Sequence, residues 1–73
     1  MEQRVRIEGI QRIMIHSSEY VRVYFTMESD PETIHPCQLP IEAFDQDLNV
    51  GDWAVATMLM RTVMEIRRPS QPA

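Results

Sequence analysis

The stretch RVRIEGIQRIMIHSSEYVRVYFTME, residues 4–28, decides the fold. Apolar and polar side chains alternate through most of it. Val5, Ile7, Gly9, Ile13 and Ile15 fall on odd positions, broken by Gln11. Arg4, Arg6, Glu8, Arg12 and His16 fall on even positions, with Ile10 and Met14 as exceptions. Successive side chains of a strand point to opposite faces, so residues 4–16 read as a half-buried strand. Gly9 lies in the inward set, where a glycine lets a long strand bend as at a barrel corner. A break into two short strands near Gly9 is the alternative. Tyr20 to Met27 alternates again, with Val21, Val23, Phe25 and Met27 inward and Tyr20, Arg22, Tyr24 and Thr26 outward. The two strands read as a hairpin. Ser17-Ser18 lacks the Asn or Gly of the tightest turns, so a loop of four residues, His16 to Glu19, is expected.

Downstream, Ser29-Asp30-Pro31-Glu32 reads as a turn. Thr33 to Leu39 is a third strand, confined to an edge because Pro36 cannot donate to a ladder. Pro40 suits the first position of a helical turn. Ile41, Phe44 and Leu48 follow at helical intervals, so a short plug helix near 41–48 is expected to fill a core opening. Asn49-Val50-Gly51-Asp52 is a second turn. Trp53 to Arg68 fits either a strand hairpin with a break at Met60-Arg61-Thr62, or a helix over 53–68 capped by Asp52. Strand is favoured, because the preceding strands need partners. The order suits an all-β, five-stranded barrel, OB-like or SH3-like. The alternative is α+β with a C-terminal helix 53–68. Residues 1–68 form one domain, and 69–73 are expected to be a disordered tail.

The chain has 73 residues, a net charge of −4 and no lysine; its seven cations are arginines. Charge is uneven. Residues 28–60 carry Glu28, Asp30, Glu32, Glu42, Asp45, Asp47 and Asp52 and no cation at all. A core this small leaves little room for a dry substrate pocket, which argues for a binding module over an enzyme. No run approaches the ~18 apolar residues of a membrane span, and no signal core opens the chain. Cys37 is alone, so no internal disulfide forms. A cytoplasmic location is expected.

Four groups of residues invite a functional reading. His35 and Cys37 share a strand face, but no third group orients them as a nucleophile pair, and zinc needs three or four ligands. Asp45, Asp47 and Asn49 are spaced like the start of a calcium loop. Val50 then stands where glycine is needed, and Ala56 where a bidentate Glu is needed. No catalytic, metal or cofactor site is expected. Arg6, Arg12, Tyr20, Arg22 and Tyr24 fall together on the outer face of the first hairpin. Guanidinium groups meet phosphates and rings stack on bases, so that face is a possible single-stranded nucleic-acid site. Glu8 and Glu28 on the same face, and the acidic chain as a whole, argue against it. Trp53 to Met60 is apolar on both faces when extended. A small barrel has one interior, so the second face needs a cover. A protein interface at Trp53, Val55, Met58, Met60 and Met64 is expected, formed with another copy or with a partner. Two functions follow: a self-associating, non-enzymatic interaction module, or an OB-like single-strand binder.

Overall fold

The computed structural model describes residues 1–69 of the chain. Five strands form one antiparallel sheet: β1 (Glu2–Ile15), β2 (Ser18–Met27), β3 (Asp30–Pro40), β4 (Trp53–Leu59) and β5 (Thr62–Arg67). Their spatial order is β3-β2-β1-β4-β5. The all-β reading holds, and the helix over 53–68 is replaced by the β4–β5 hairpin. Its turn, Met60-Arg61, falls at the expected break. The tail expected at 69–73 lies, apart from Pro69, outside the described residues. No helix among the described residues is long and apolar enough to cross a membrane.

The sheet curls without closing. Its rims, β3 and β5, approach each other, and the segment after β3 bridges them. Phe44 pairs with Ile66 in parallel, and the Asp45 N–H donates to the Ile66 carbonyl at 3.1 Å. The core lies inside this curl: Val5 and Ile7 from β1, Val21, Val23 and Phe25 from β2, Leu39, Ala54, Ala56 and Ile66, all buried. The inward set expected for β2 is borne out.

The inward set of β1 is corrected. The register with β2 runs Ile7↔Phe25 and then Gly9↔Tyr24, so one extra residue, Glu8, sits between the two pairs. Such a bulge reverses which parity faces inward. Before it, odd residues enter the core. After it, Ile10 packs on the core opposite Val23, while Gly9, Gln11 and Ile13 share the outer face with Tyr24, Arg22 and Tyr20. Ile15, expected inside, is exposed.

Two connections are also corrected. The β1–β2 link has two residues, not four: His16 and Ser17 both adopt left-handed backbone, with φ of 48° and 67°. Neither is glycine or asparagine, so the tight turn is strained. The turn between β2 and β3 is Glu28-Ser29, and Asp30 and Pro31 already belong to β3. On β3, Pro36 stands opposite Tyr24 and Pro40 opposite Tyr20. Lacking an N–H, both prolines sit where the nitrogen turns away from β2, towards the rim.

The plug is real but barely helical. Only Ile41–Ala43 forms a single 3-10 turn, η1. Phe44 and Leu48 nevertheless bury almost completely. The chain beyond η1 is held by capping and ion pairs instead of helix. The Arg68 N–H donates to Asp45 Oδ2 at 2.7 Å, and Arg67 Nη1 reaches Asp45 Oδ1 at 3.1 Å. Gly51, with φ of 95°, turns the chain into β4, and its N–H donates to the Ile7 carbonyl at 2.7 Å.

Candidate functional site

The two expected surfaces lie on different parts of the sheet. On β2, Tyr20, Arg22 and Tyr24 do share the outer face, because β2 keeps its alternation throughout. Arg6 joins that face on the N-terminal half of β1, opposite Thr26 and Trp53. Arg12 does not. Lying beyond the bulge, it pairs with Val21 and projects on the side of the core, exposed at its margin.

Most of the outer-face charge is already engaged. The Arg4 guanidinium carbon stands 4.9 Å from the Trp53 ring centroid, and its Nε lies 3.5 Å from Glu28 Oε2. Arg22 Nη2 donates to Gln38 Oε1 at 3.3 Å. Thr26 is buried beneath Glu8, to which its hydroxyl donates at 2.9 Å. The Tyr24 ring lies across Gly9.

The expected interface around Trp53 to Met64 divides. Ala54 and Ala56 are core residues. Val55 and Met58 are half-buried, and the Trp53 ring is partly covered by Arg4. Apolar exposure is highest at the β4–β5 tip, while Met14, Ile34 and Val50 are exposed elsewhere on the molecule. Leu59 is 64% exposed, Met60 94% and Met64 49%. Met60 takes the left-handed turn position, with φ of 58°, which throws its side chain off the end of the hairpin. Met1 belongs to this tip too. Its amino group donates to the Met58 carbonyl at 3.0 Å and its carbonyl accepts from the Met58 N–H at 2.7 Å, so the residue extends the β1–β4 ladder. Met1 and Leu59 were not among the expected interface residues. The register of β1 with β4 brings Met1 there, and no local pattern records that register.

At the opposite end of β1, beside the His16-Ser17 turn, lies an open cleft of about 410 Å³. Met14, Tyr20, Pro40 and Ile41 contribute its apolar walls, and Glu19 and Glu42 its charges. No arginine lines it.

The groups that suggested chemistry are occupied otherwise. His35 stacks on Phe25 with ring centroids 5.5 Å apart. Burial pushes the Cys37 thiol up to about 11, which keeps it protonated and a poor nucleophile. Asp45 and Asp47 bind Arg67 and Arg68. Among the described residues, no three His, Cys, Asp or Glu side chains cluster closely enough to hold a metal ion.

Comparison with known proteins gives no match: no family model, no curated protein and no solved structure is similar to the chain.

Proposed function

We propose that this protein is a non-enzymatic interaction module that self-associates through the tip of the β4–β5 hairpin. One observation carries the reading: Leu59 and Met60 stand largely in water, and Met64 about half so, at the same end of the molecule, joined there by Met1, which is 85% exposed. Single exposed apolar residues are ordinary; several at one place mark an interface. Covering each such side chain is worth about 1.5–3 kcal/mol at full burial. Methionine suits such a surface, since its unbranched, polarisable side chain adapts to an irregular partner. The single cysteine, Cys37, fits a reducing, cytoplasmic setting.

The test is particle mass against concentration, by sedimentation velocity and light scattering. The wild-type chain should exceed monomer mass at high concentration. Met60→Glu should return it to monomer with an unchanged melting temperature, because Met60 supports nothing inside the fold. A wild-type chain that stays monomeric up to millimolar concentration overturns the reading.

A second reading, an OB-like domain binding single-stranded nucleic acid, is supported by Tyr20, Arg22 and Tyr24 sharing the outer face of β2. The strand order suits it, since the face of strands two and three is where OB-folds hold oligonucleotides. Charge counts against it. Arg12 lies off the face, Arg4 is paired with Glu28, and the net charge is −4. An oligonucleotide titration at low salt, read by tyrosine emission, tests it; unchanged emission ends it.

A further inference from the structure

We propose that the β4–β5 tip of one copy seats in the cleft beside Tyr20 of a second copy, so that self-association runs head to tail. This rests on the tip being the self-association surface, and it names what the tip binds.

Tip and cleft match in shape and in charge. The tip is a projecting turn, Leu59-Met60-Arg61, with two exposed apolar side chains and one cation. Arg61 makes no ion pair among the described residues. It is also the first cation after the stretch 28–60, which has none. The cleft is concave. Met14, Tyr20, Pro40 and Ile41 offer an apolar wall for Met60, and Glu19 and Glu42 supply two carboxylates with no cation among the lining residues. Met14 is itself 65% exposed, so the wall is open to receive a partner. Tyr20 is among the lining residues, and guanidinium groups and thioethers both pack well against aromatic rings. Opposite charges across such a contact steer encounter and fix its orientation.

One molecule cannot satisfy itself. Glu2 pairs with Thr57 beside the tip, and Ile15 pairs with Ser18 beside the cleft. The two features therefore sit at opposite ends of β1, a strand of 14 residues in a molecule 35 Å along its longest axis. A projection at one end and a recess at the other make a heterologous contact. It propagates as a row of copies, or closes into a ring of two or more in which every tip fills a neighbour's cleft.

The experiment is complementation, read by sedimentation velocity, with circular dichroism melts verifying that each variant is folded. Met60→Glu spoils the tip and keeps the cleft. The double variant Glu19→Arg/Glu42→Arg spoils the cleft and keeps the tip. Each alone should associate at least tenfold more weakly than wild type. Mixed in equal amounts, they should form a one-to-one dimer and nothing larger, since one good tip and one good cleft remain. Adding Arg61→Glu to the double variant should restore its association with itself. If Glu19→Arg/Glu42→Arg assembles like wild type while Met60→Glu does not, the tip binds elsewhere and the head-to-tail arrangement falls, though the tip stands. A mixture that stays monomeric overturns the arrangement as well. If Met60→Glu assembles like wild type, or wild type is monomeric throughout, both the arrangement and the tip fall.

Discussion

Gly9 and Tyr24 face each other across the β1–β2 ladder so closely that a Cβ on Gly9 would lie 3.2 Å from Tyr24 Cδ2. The glycine sits immediately after the bulge and gives the tyrosine ring room to lie over the strand. Its role is close approach, not an unusual backbone angle.

Gly9→Val is therefore expected to destabilise the fold by about 1–3 kcal/mol through overpacking. Gly9→Ala should cost less, since the Tyr24 ring can give by a few tenths of an ångström. The check is a double-mutant cycle by urea denaturation. In a Tyr24→Ala background most of the penalty at position 9 should vanish. An undiminished penalty would place the cause in the backbone.

Phe44 closes the gap between the rims with its backbone paired to Ile66 and its side chain buried. Phe44→Ala is expected to cost about 3–5 kcal/mol. A chain of this length has on the order of 4–11 kcal/mol in total, so the variant should be partly unfolded or close to it at 37 °C. Glu42→Ala, two residues away and exposed, should stay within about 0.5 kcal/mol of wild type. Equal melting temperatures for Phe44→Ala and Glu42→Ala would contradict the role given to Phe44.

Asp45 accepts from the Arg68 N–H and from Arg67, and the first of these does most to hold its carboxyl below the ordinary value of 3.8. A lowered folded-state value means that the unfolded chain takes up the proton first. The stabilisation is thus fully present above about pH 4 and is lost as pH falls through the lowered value. Asp45→Asn should cost about 1 kcal/mol at pH 7, after allowance for solvent screening at this partly exposed pair. The gap between Asp45→Asn and wild type should then narrow in acid. Melts at pH 7 and pH 3 measure both; a gap that widens in acid would reverse the sign.

Cys37 should react slowly. Raised from 9.0 to about 11, its thiol is ionised roughly a hundredfold less at pH 8 than an unperturbed one. Labelling by a disulfide reagent at pH 8 should speed up by about that factor or more on denaturation. Equal rates in native and denatured protein would show that the thiol is not held by burial.

Much of this fold was written in period two. Val21, Val23 and Phe25 announced the inward face of β2, and Pro36 announced the edge. The bulge at Glu8 left a fainter mark: Ile10 and Met14, the even-numbered exceptions, are apolar on the wrong parity for an unbroken strand. A single extra residue erases its own signal, because alternation resumes at once with the opposite phase. That phase change carried Arg12 off the Arg–Tyr face. The His16-Ser17 turn was hidden for another reason. Its left-handed residues lack the glycine or asparagine that usually reveals such a turn. Around Phe44 and Leu48 the helical spacing was correct for burial and misleading for backbone. Asp45, Asp47 and Asn49 favour turns, and the ion pairs to Arg67 and Arg68 that fix the loop join residues far apart in sequence. At the candidate interface, composition located the hairpin. Only the register of β1 with β4 could add Met1 to it.

The placement of Pro36 and Pro40 bears on misfolding. An incoming strand that tried to extend β3 would meet two positions with no hydrogen to offer, alternate rungs on that edge with Gln38 intact between them. Cross-β stacking is starved at its first layer along this side. Concentrated samples should therefore not seed fibrils from β3, and replacing both prolines with threonine should make that border sticky before it makes the domain unstable.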